Sequence, residues 1–362
     1  MPMETPLIEL HRSSGATMGE YFGTTLPSRF GEFAAEYAAL RESVGLLDTN
    51  FRALFSFTGA DRQRYLNAIL TSNVRDLKPG LGAVGLLLTP QGHIVAEVET
   101  FLLGDRILAS SHAMVRERTF ATLDKFIIMD DVTLEDVTDT TGTLDLAGPR
   151  TAPLLAECGA AGFNAMPLLA HEEIRAGQIP CRVVRRELAG DPAATLIVAR
   201  EHLAALWREI SERVRTHGGT PVGMEALNSI RLECGTAWFG VDYGEQQIPH
   251  EAGLEQSHIS YEKGCYTGQE IVERVRSRGH VNRRITELRF EASEAPAHGT
   301  KLLFSGNEVG NVTSTGFSPR LGAAIGLGYL RREHSAISTK LDASGIAGEV
   351  IAPPLVSRKI SA

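Results

Sequence analysis

Residues 231–242 read Arg-Leu-Glu-Cys-Gly-Thr-Ala-Trp-Phe-Gly-Val-Asp, and residues 263–270 read Lys-Gly-Cys-Tyr-Thr-Gly-Gln-Glu. The first stretch ends a segment, 223–234, in which Leu227, Ile230, Arg231 and Cys234 fall on one face of a helix. In the second, Gly264 and Gly268 bracket a cysteine and an aromatic residue, so the backbone can turn sharply there. Lys263 and a helix start near Thr267 are surroundings that make a thiol nucleophilic or redox-responsive. A small buried hydrophobe is the bland alternative for Cys265. On residue chemistry alone the two readings balance.

Upstream, Phe30, Phe33, Ala34, Tyr37, Leu40 and Val44 predict a helix over 29–46 that Gly45 ends. Alternation predicts a strand over 51–57, followed by a turn at 58–61 and a short helix around Tyr65–Leu70. Two β-like runs, 82–88 and 94–103, are joined by Thr89-Pro90-Gln91-Gly92. A helix is expected over 112–127, then a strand near Val132. A strand running into Gly148-Pro149 is a candidate boundary, and a helix over 200–214 closes at Gly218-Gly219. After Arg284 the texture becomes short β-prone runs, with turns expected at 305–307 and 316–319.

The chain has 362 residues, long enough for two to three domains with cores of their own. Its 36 Lys+Arg against 44 Asp+Glu give a net charge of −8, which argues against a general nucleic-acid binder. Cys158, Cys181, Cys234 and Cys265 form no CxxC pair, so no zinc ribbon or cluster motif is expected. The residues Met1-Pro2-Met3-Glu4-Thr5 carry neither a basic n-region nor an apolar h-region. No apolar run reaches the ~20 residues of a membrane span. The expectation is a cytoplasmic protein with free thiols and no membrane partner.

Other motifs carry less. Gly80-Leu81-Gly82-Ala83-Val84-Gly85 fits G-x-G-x-x-G, but Lys78-Pro79 precedes it and an apolar β-like run follows, so a dinucleotide turn is not expected. Asp242, Glu245, His250, Glu251 and Glu255 cluster without a metal-binding spacing, and no metal is expected. Five arginines fall within 274–284: Arg274, Arg276, Arg278, Arg283 and Arg284. They could meet phosphate or carboxylate, or merely balance nearby acids. Without interleaved aromatics, base stacking is not indicated.

The stretch 231–242 resembles the R-L-E-x-G-x-x-x-[FY]-G-x-D of the glycine-cleavage T-protein superfamily. Residues 248–255, Gly45-Leu46-Leu47-Asp48 and Val312-Thr313-Ser314-Thr315-Gly316 continue the pattern. The octapeptide Lys263, Gly264, Cys265, Tyr266, Thr267, Gly268, Gln269 and Glu270 resembles the signature of one branch, the YgfZ family. The resemblance runs from about Thr5 to about Ile351. It implies an α+β, three-domain T-protein-like fold with antiparallel sheets and a C-terminal β-barrel or jelly-roll. The implied domains are 1–50 with 145–245, 51–144 with 246–283, and 284–362. It also implies tetrahydrofolate or a derivative as cofactor.

For the YgfZ branch the implied function is a folate-binding accessory factor in assembly or repair of iron–sulfur enzymes, including tRNA-thiolating ones. Its partners would be those enzymes or their assembly machinery, and Cys265 its distinctive residue. The residues that the resemblance implies for folate are Glu97, Arg231, Glu233, Tyr266, Gln269 and Arg274. The alternatives are a tetrahydrofolate-dependent aminomethyltransferase or one-carbon transferase, with Glu97 in acid–base work, and a tRNA-binding factor using 274–284. The T-protein run G-G-I-I-D-D-L corresponds to Gly92-His93-Ile94-Val95-Ala96-Glu97-Val98, so Ala96 and Glu97 replace its aspartates. Leu227 stands where T-proteins carry a folate-contacting arginine, and 188–198 holds no match to their G-Y-E glutamate. These departures argue against a classical aminomethyltransferase and leave open whether the chain is an enzyme. The charge pattern is compatible with a monomer.

Overall fold

The computed structural model describes residues 2–292 and 295–352, without the side chain of Arg278. Residues 353–362, which the sequence assigns to the barrel, lie outside the described residues. The chain divides into two compact units. The first comprises Met1–Leu87, Ala96–Leu227 and Ser260–Tyr266; the second comprises Leu88–Val95, Asn228–Ile259 and Thr267–Ala362.

Two sheets and their helices build the first unit. One sheet orders its strands as 82–88, 94–102, 107–112, 52–58 and 133–136. The other runs 171–176, 179–188, 191–199, 141–147, 45–48 and 220–221. Most neighbours are antiparallel, as Arg52↔His112 and Asp145↔Thr195 show. The helix Leu203–Thr216 buries Leu203, Leu206, Trp207, Ile210 and Val214, a stripe at helical spacing. That stripe joins Leu46, Leu144, Leu146, Val183 and Leu196 of the second sheet in the main core. Each such buried aliphatic side chain contributes about 2 kcal/mol of transfer free energy. A smaller cluster, Leu54, Phe101, Val184 and Ile197, joins residues of the two sheets. Gly218 has φ +76°, and a Cβ on Gly219 would lie 1.9 Å from the Val44 carbonyl, so this glycine pair ends the helix.

In the second unit, residues 283–290, 323–331, 307–318, 301–304, 340–343 and 346–350 close into a six-stranded barrel. Its interior is Leu288, Phe290, Leu302, Val312, Leu330 and Val350. Outside it, Leu232 and Ala237 pack on Ile325 and Leu327. The C-terminal β module is therefore a closed barrel, which leaves no sheet edge to protect.

Three local expectations change. The helix expected over 29–46 is only Phe33–Glu42. Glu36 is buried and accepts the Phe30 and Gly31 amides at 2.6 and 2.8 Å, so the residues before the helix are held as its entry. Gly45–Asp48 is a strand instead, because Val44 and Leu46 belong to the core. The helix expected over 112–127 is Arg116–Lys125, preceded by the strand Ile107–His112. There, Ser110, Ser111 and His112 are buried polar residues that mask the strand pattern. The turn expected at 316–319 is absent up to Ser318, where the long strand Asn307–Ser318 ends.

Candidate functional site

The strand Ile94–Leu102 carries two glutamates two residues apart, which places both on one face. Glu99 pairs with Ser110, Ser110 with Leu54, and His112 with Arg52 across the sheet. The Ser111 hydroxyl donates to the Glu97 carbonyl at 2.8 Å, which keeps the two strands in step to this point. One face therefore presents Glu97, Glu99, His112 and Arg52 together.

Glu99 is buried and fully engaged. The Arg186 guanidinium meets both carboxylate oxygens, its Nη2 donating at 2.6 Å, and also donates through Nε to Thr195 at 3.2 Å. Arg52 donates to the same carboxylate at 3.3 Å and lies 3.7 Å from Asp145. Burial alone would raise the Glu99 carboxyl; Arg186 and Arg52 reverse the sign and hold it below the usual carboxylate range. A carboxylate held by two guanidinium groups is a poor proton carrier. Glu97 differs. It is only half-buried, and its charge acts on Glu99 and Arg186 of the buried network.

His112 sits in the field of Glu97, Arg52 and Glu99, but burial dominates and pushes its imidazole down to about 4. Its ring lies 5.4 Å from Phe22 and 5.5 Å from Phe51, and those two rings are 4.4 Å apart. Phe22 takes φ +54° and Gly23 φ +73°, the pair of positive values that a two-residue hairpin turn requires. A bulky residue in that region is strained by on the order of 1–3 kcal/mol. Packing on Phe51 and His112 offsets that strain.

The neutral imidazole gives a pH dependence with a definite sign. Between pH 6.5 and about 4 the folded chain binds fewer protons at His112 than the unfolded chain. The stability from this site is full above pH 6.5 and falls as the pH drops, by about 3 kcal/mol at pH 4. Urea unfolding at pH 7 and pH 4.5, wild type against His112→Leu, measures it. An equal pH penalty in both proteins would show that the penalty lies elsewhere.

The octapeptide forms a second station. Lys263 is 7% exposed, and its Nζ donates to the carbonyls of Asn67, Leu70 and Ser72, the last at 2.9 Å. Burial brings the ammonium down to about 8. Tyr266 is buried, its ring centroid 5.1 Å from that Nζ, while Gly264 and Cys265 are exposed. In the second unit, Gln269 opens the helix Gln269–Arg278, on which Arg274 pairs with Glu270 at 2.6 Å. Arg276 pairs with Glu273 and Arg283 with Glu251. These arginines of the 274–284 strip are thus balanced by acids, and the Arg278 side chain lies outside the described residues.

Arg231 and Glu233, read from the sequence as folate contacts, are committed within the second unit. Arg231 is 1% exposed; it binds Asp242, Asn228 and the Thr236 carbonyl and stacks on Trp238 at 4.2 Å. Burial pulls its guanidinium down against the pull of Asp242. Glu233 is fully buried and accepts the Ser318 hydroxyl at 2.5 Å. The acidic cluster around His250 is dispersed, with Asp242 on Arg231 and Glu251 on Arg283. Sequence reasoning missed Glu99, Arg52, Arg186 and His112. The available signal was Glu97-Val98-Glu99, two charges at period two inside an apolar strand.

Residues 7–260 match the family model of the GCVT N-terminal domain, and residues 283–357 that of the glycine cleavage T-protein C-terminal barrel domain. The chain belongs to the glycine-cleavage T-protein superfamily. Among T-protein relatives, the aminomethyltransferase of Rubrobacter xylanophilus is 29% identical, covering 91% of this chain and 87% of that protein. The aminomethyltransferase of Streptomyces coelicolor is 27% identical over 98% of each chain. The crystal structure of glycine cleavage system aminomethyltransferase T from Bartonella henselae superposes with a TM-score of 0.88, covering 99% of both chains at 24% identity. That likeness shows the T-protein fold. Among the described residues, no helix is long and apolar enough to cross a membrane.

Proposed function

We propose that this T-protein relative binds tetrahydrofolate or a derivative and works in one-carbon transfer, with Glu97 as its acid–base group. The observation that carries the reading is the pairing of a half-buried Glu97 with a buried Glu99 that two arginines already hold. The Glu99 carboxylate is held by Arg186 and Arg52, and we assign the less buried Glu97 to the ligand. The donor set fits a folate: pterin amide and amine N–H groups need acceptors, and Glu97 offers them at a half-buried position where water is partly excluded. Tetrahydrofolate would supply the amines that take up the one-carbon unit. Glu97 would orient that ligand and hold or move a proton at its carboxylate. Neutral His112 would stay uncharged beside it at working pH. The relatives named aminomethyltransferase support this reading.

Glu97 reaches about one methylene further than the aspartate of the T-protein run, and Ala96 removes the other carboxylate. Such shifts reduce catalytic alignment. Turnover with an aminomethyl-lipoyl carrier should therefore be slow but above the protein-free rate. Calorimetric titration of tetrahydrofolate under reducing, oxygen-free conditions should show micromolar binding (about −8 kcal/mol). No heat and no product would remove the reading.

A second reading is favoured by one observation, the exposed Cys265 within Lys263–Glu270. In that reading the protein is a folate-binding factor for assembly or repair of iron–sulfur enzymes, and the thiol meets a client. Cys265→Ala should fold normally and fail to support iron–sulfur enzyme activity in cells carrying only that variant. A tRNA contact through 274–284 has less support, because Glu270, Glu273 and Glu251 already balance three of its arginines.

A further inference from the structure

The helix Arg62–Ile69 ends at Leu70, whose φ and ψ of −86° and 154° are extended. A helix end leaves backbone carbonyls without partners. Here the Asn67 and Leu70 carbonyls, with that of Ser72, converge on one ammonium, Lys263. A cation suits this place twice over, through the hydrogen bonds and through the negative end of the helix dipole. The Ser260 amide donates to the Thr71 carbonyl at 2.9 Å, so the same turn is gripped a second time. The Tyr266 ring closes over the ammonium.

The segment 260–266 is thus tied at Ser260, Lys263 and Tyr266, while the two residues between the last ties, Gly264 and Cys265, are exposed. The other cysteines are less accessible: Cys158 and Cys181 are buried and Cys234 is intermediate. Burying an ammonium costs free energy even when it is hydrogen-bonded. Leu or Met would fill the space without that cost, but neither could hold three carbonyls.

We propose that Lys263 is a positioning residue for Cys265. By holding the three carbonyls at the end of the helix Arg62–Ile69, it fixes the backbone from which the thiol projects into solvent. A docking partner then meets the thiol on an ordered turn rather than on a loose loop. The functional part of this inference rests on the second reading above; the structural part does not.

The test uses the full-length chain with Cys234→Ser and a nitroxide on Cys265. In the parent, the spectrum should show restricted motion. Lys263→Met should narrow the lines and speed hydrogen exchange of the Ser260 amide at least tenfold, with the circular dichroism unchanged. Lys263→Arg keeps a charged donor and should restore most of both. In cells, Lys263→Met should fail as Cys265→Ala does, and Lys263→Arg should rescue. Lys263→Gln, which keeps an N–H donor, covers the case in which the methionine variant does not fold, and should show intermediate motion. Parent-like spectra and exchange in a folded Met or Gln variant would overturn the proposal. If Cys265→Ala retains full iron–sulfur activity while Lys263→Met frees the label, the positioning stands and the client role of the thiol falls.

Discussion

Asp242→Ala is expected to lower the unfolding free energy by about 3–5 kcal/mol, the usual cost of removing one partner from a buried ion pair. The carboxylate of Asp242 has no exposed surface. Its Oδ2 meets Arg231 and accepts the Trp238 amide at 2.9 Å, and its Oδ1 accepts the Thr313 and Ser314 hydroxyls at 2.6 Å each. Alanine would strand a buried guanidinium and take their Asp242 acceptor from the Ser314 hydroxyl and the Trp238 amide, while the Thr313 hydroxyl would keep the Leu327 carbonyl. Urea denaturation of the purified variant measures the loss. The control is Arg231→Met with Asp242→Leu, which removes both charges and should recover a large part of it. A single alanine variant within 1 kcal/mol of wild type would mean that water replaces the carboxylate.

Glu97→Gln is expected to act on function rather than on stability. Removing a group that moves a proton in the rate-limiting step costs roughly 10²–10⁴ in rate. The amide matches the carboxylate in shape, and a half-buried position tolerates it, so the unfolding midpoint should hardly move. Glu99→Gln should do the reverse. It leaves Arg186 and Arg52 facing a neutral group in a buried site and should cost several kcal/mol. Transfer assays and denaturation curves on the two variants separate the roles. An unchanged transfer rate in Glu97→Gln would sink the acid–base assignment.

Much of the fold could be read along the chain because it depends on local periodicity. The alternation in 51–57 and the apolar runs at 82–88 and 94–103 correspond to the strands Arg52–Thr58, Gly82–Leu88 and Ile94–Leu102. The stripe in Leu203–Thr216 and the change of texture near Arg284 were equally local. The strand Ile107–His112 was not legible, because Ser110, Ser111 and His112 look like a loop or a helix start. Their burial depends on neighbouring strands that are distant in sequence. Arg231 shows the same limit. Its motif marked the family, but only Asp242, Thr236 and Trp238 around it show that the side chain is held within the fold.

The sequence by itself determined the superfamily, the barrel at the C-terminal end and the octapeptide with its cysteine, since these are properties of consecutive residues. Tertiary structure alone decided which glutamate of the pair 97 and 99 is buried and held by two arginines, and which carbonyls hold the Lys263 ammonium. Both are questions of partner and exposure. Arg186 lies 87 positions from Glu99, and Lys263 lies 191 to 196 positions from the carbonyls it holds. Charges so far apart in the chain acquire their roles only when folding excludes water from between them and makes each unpaired group costly.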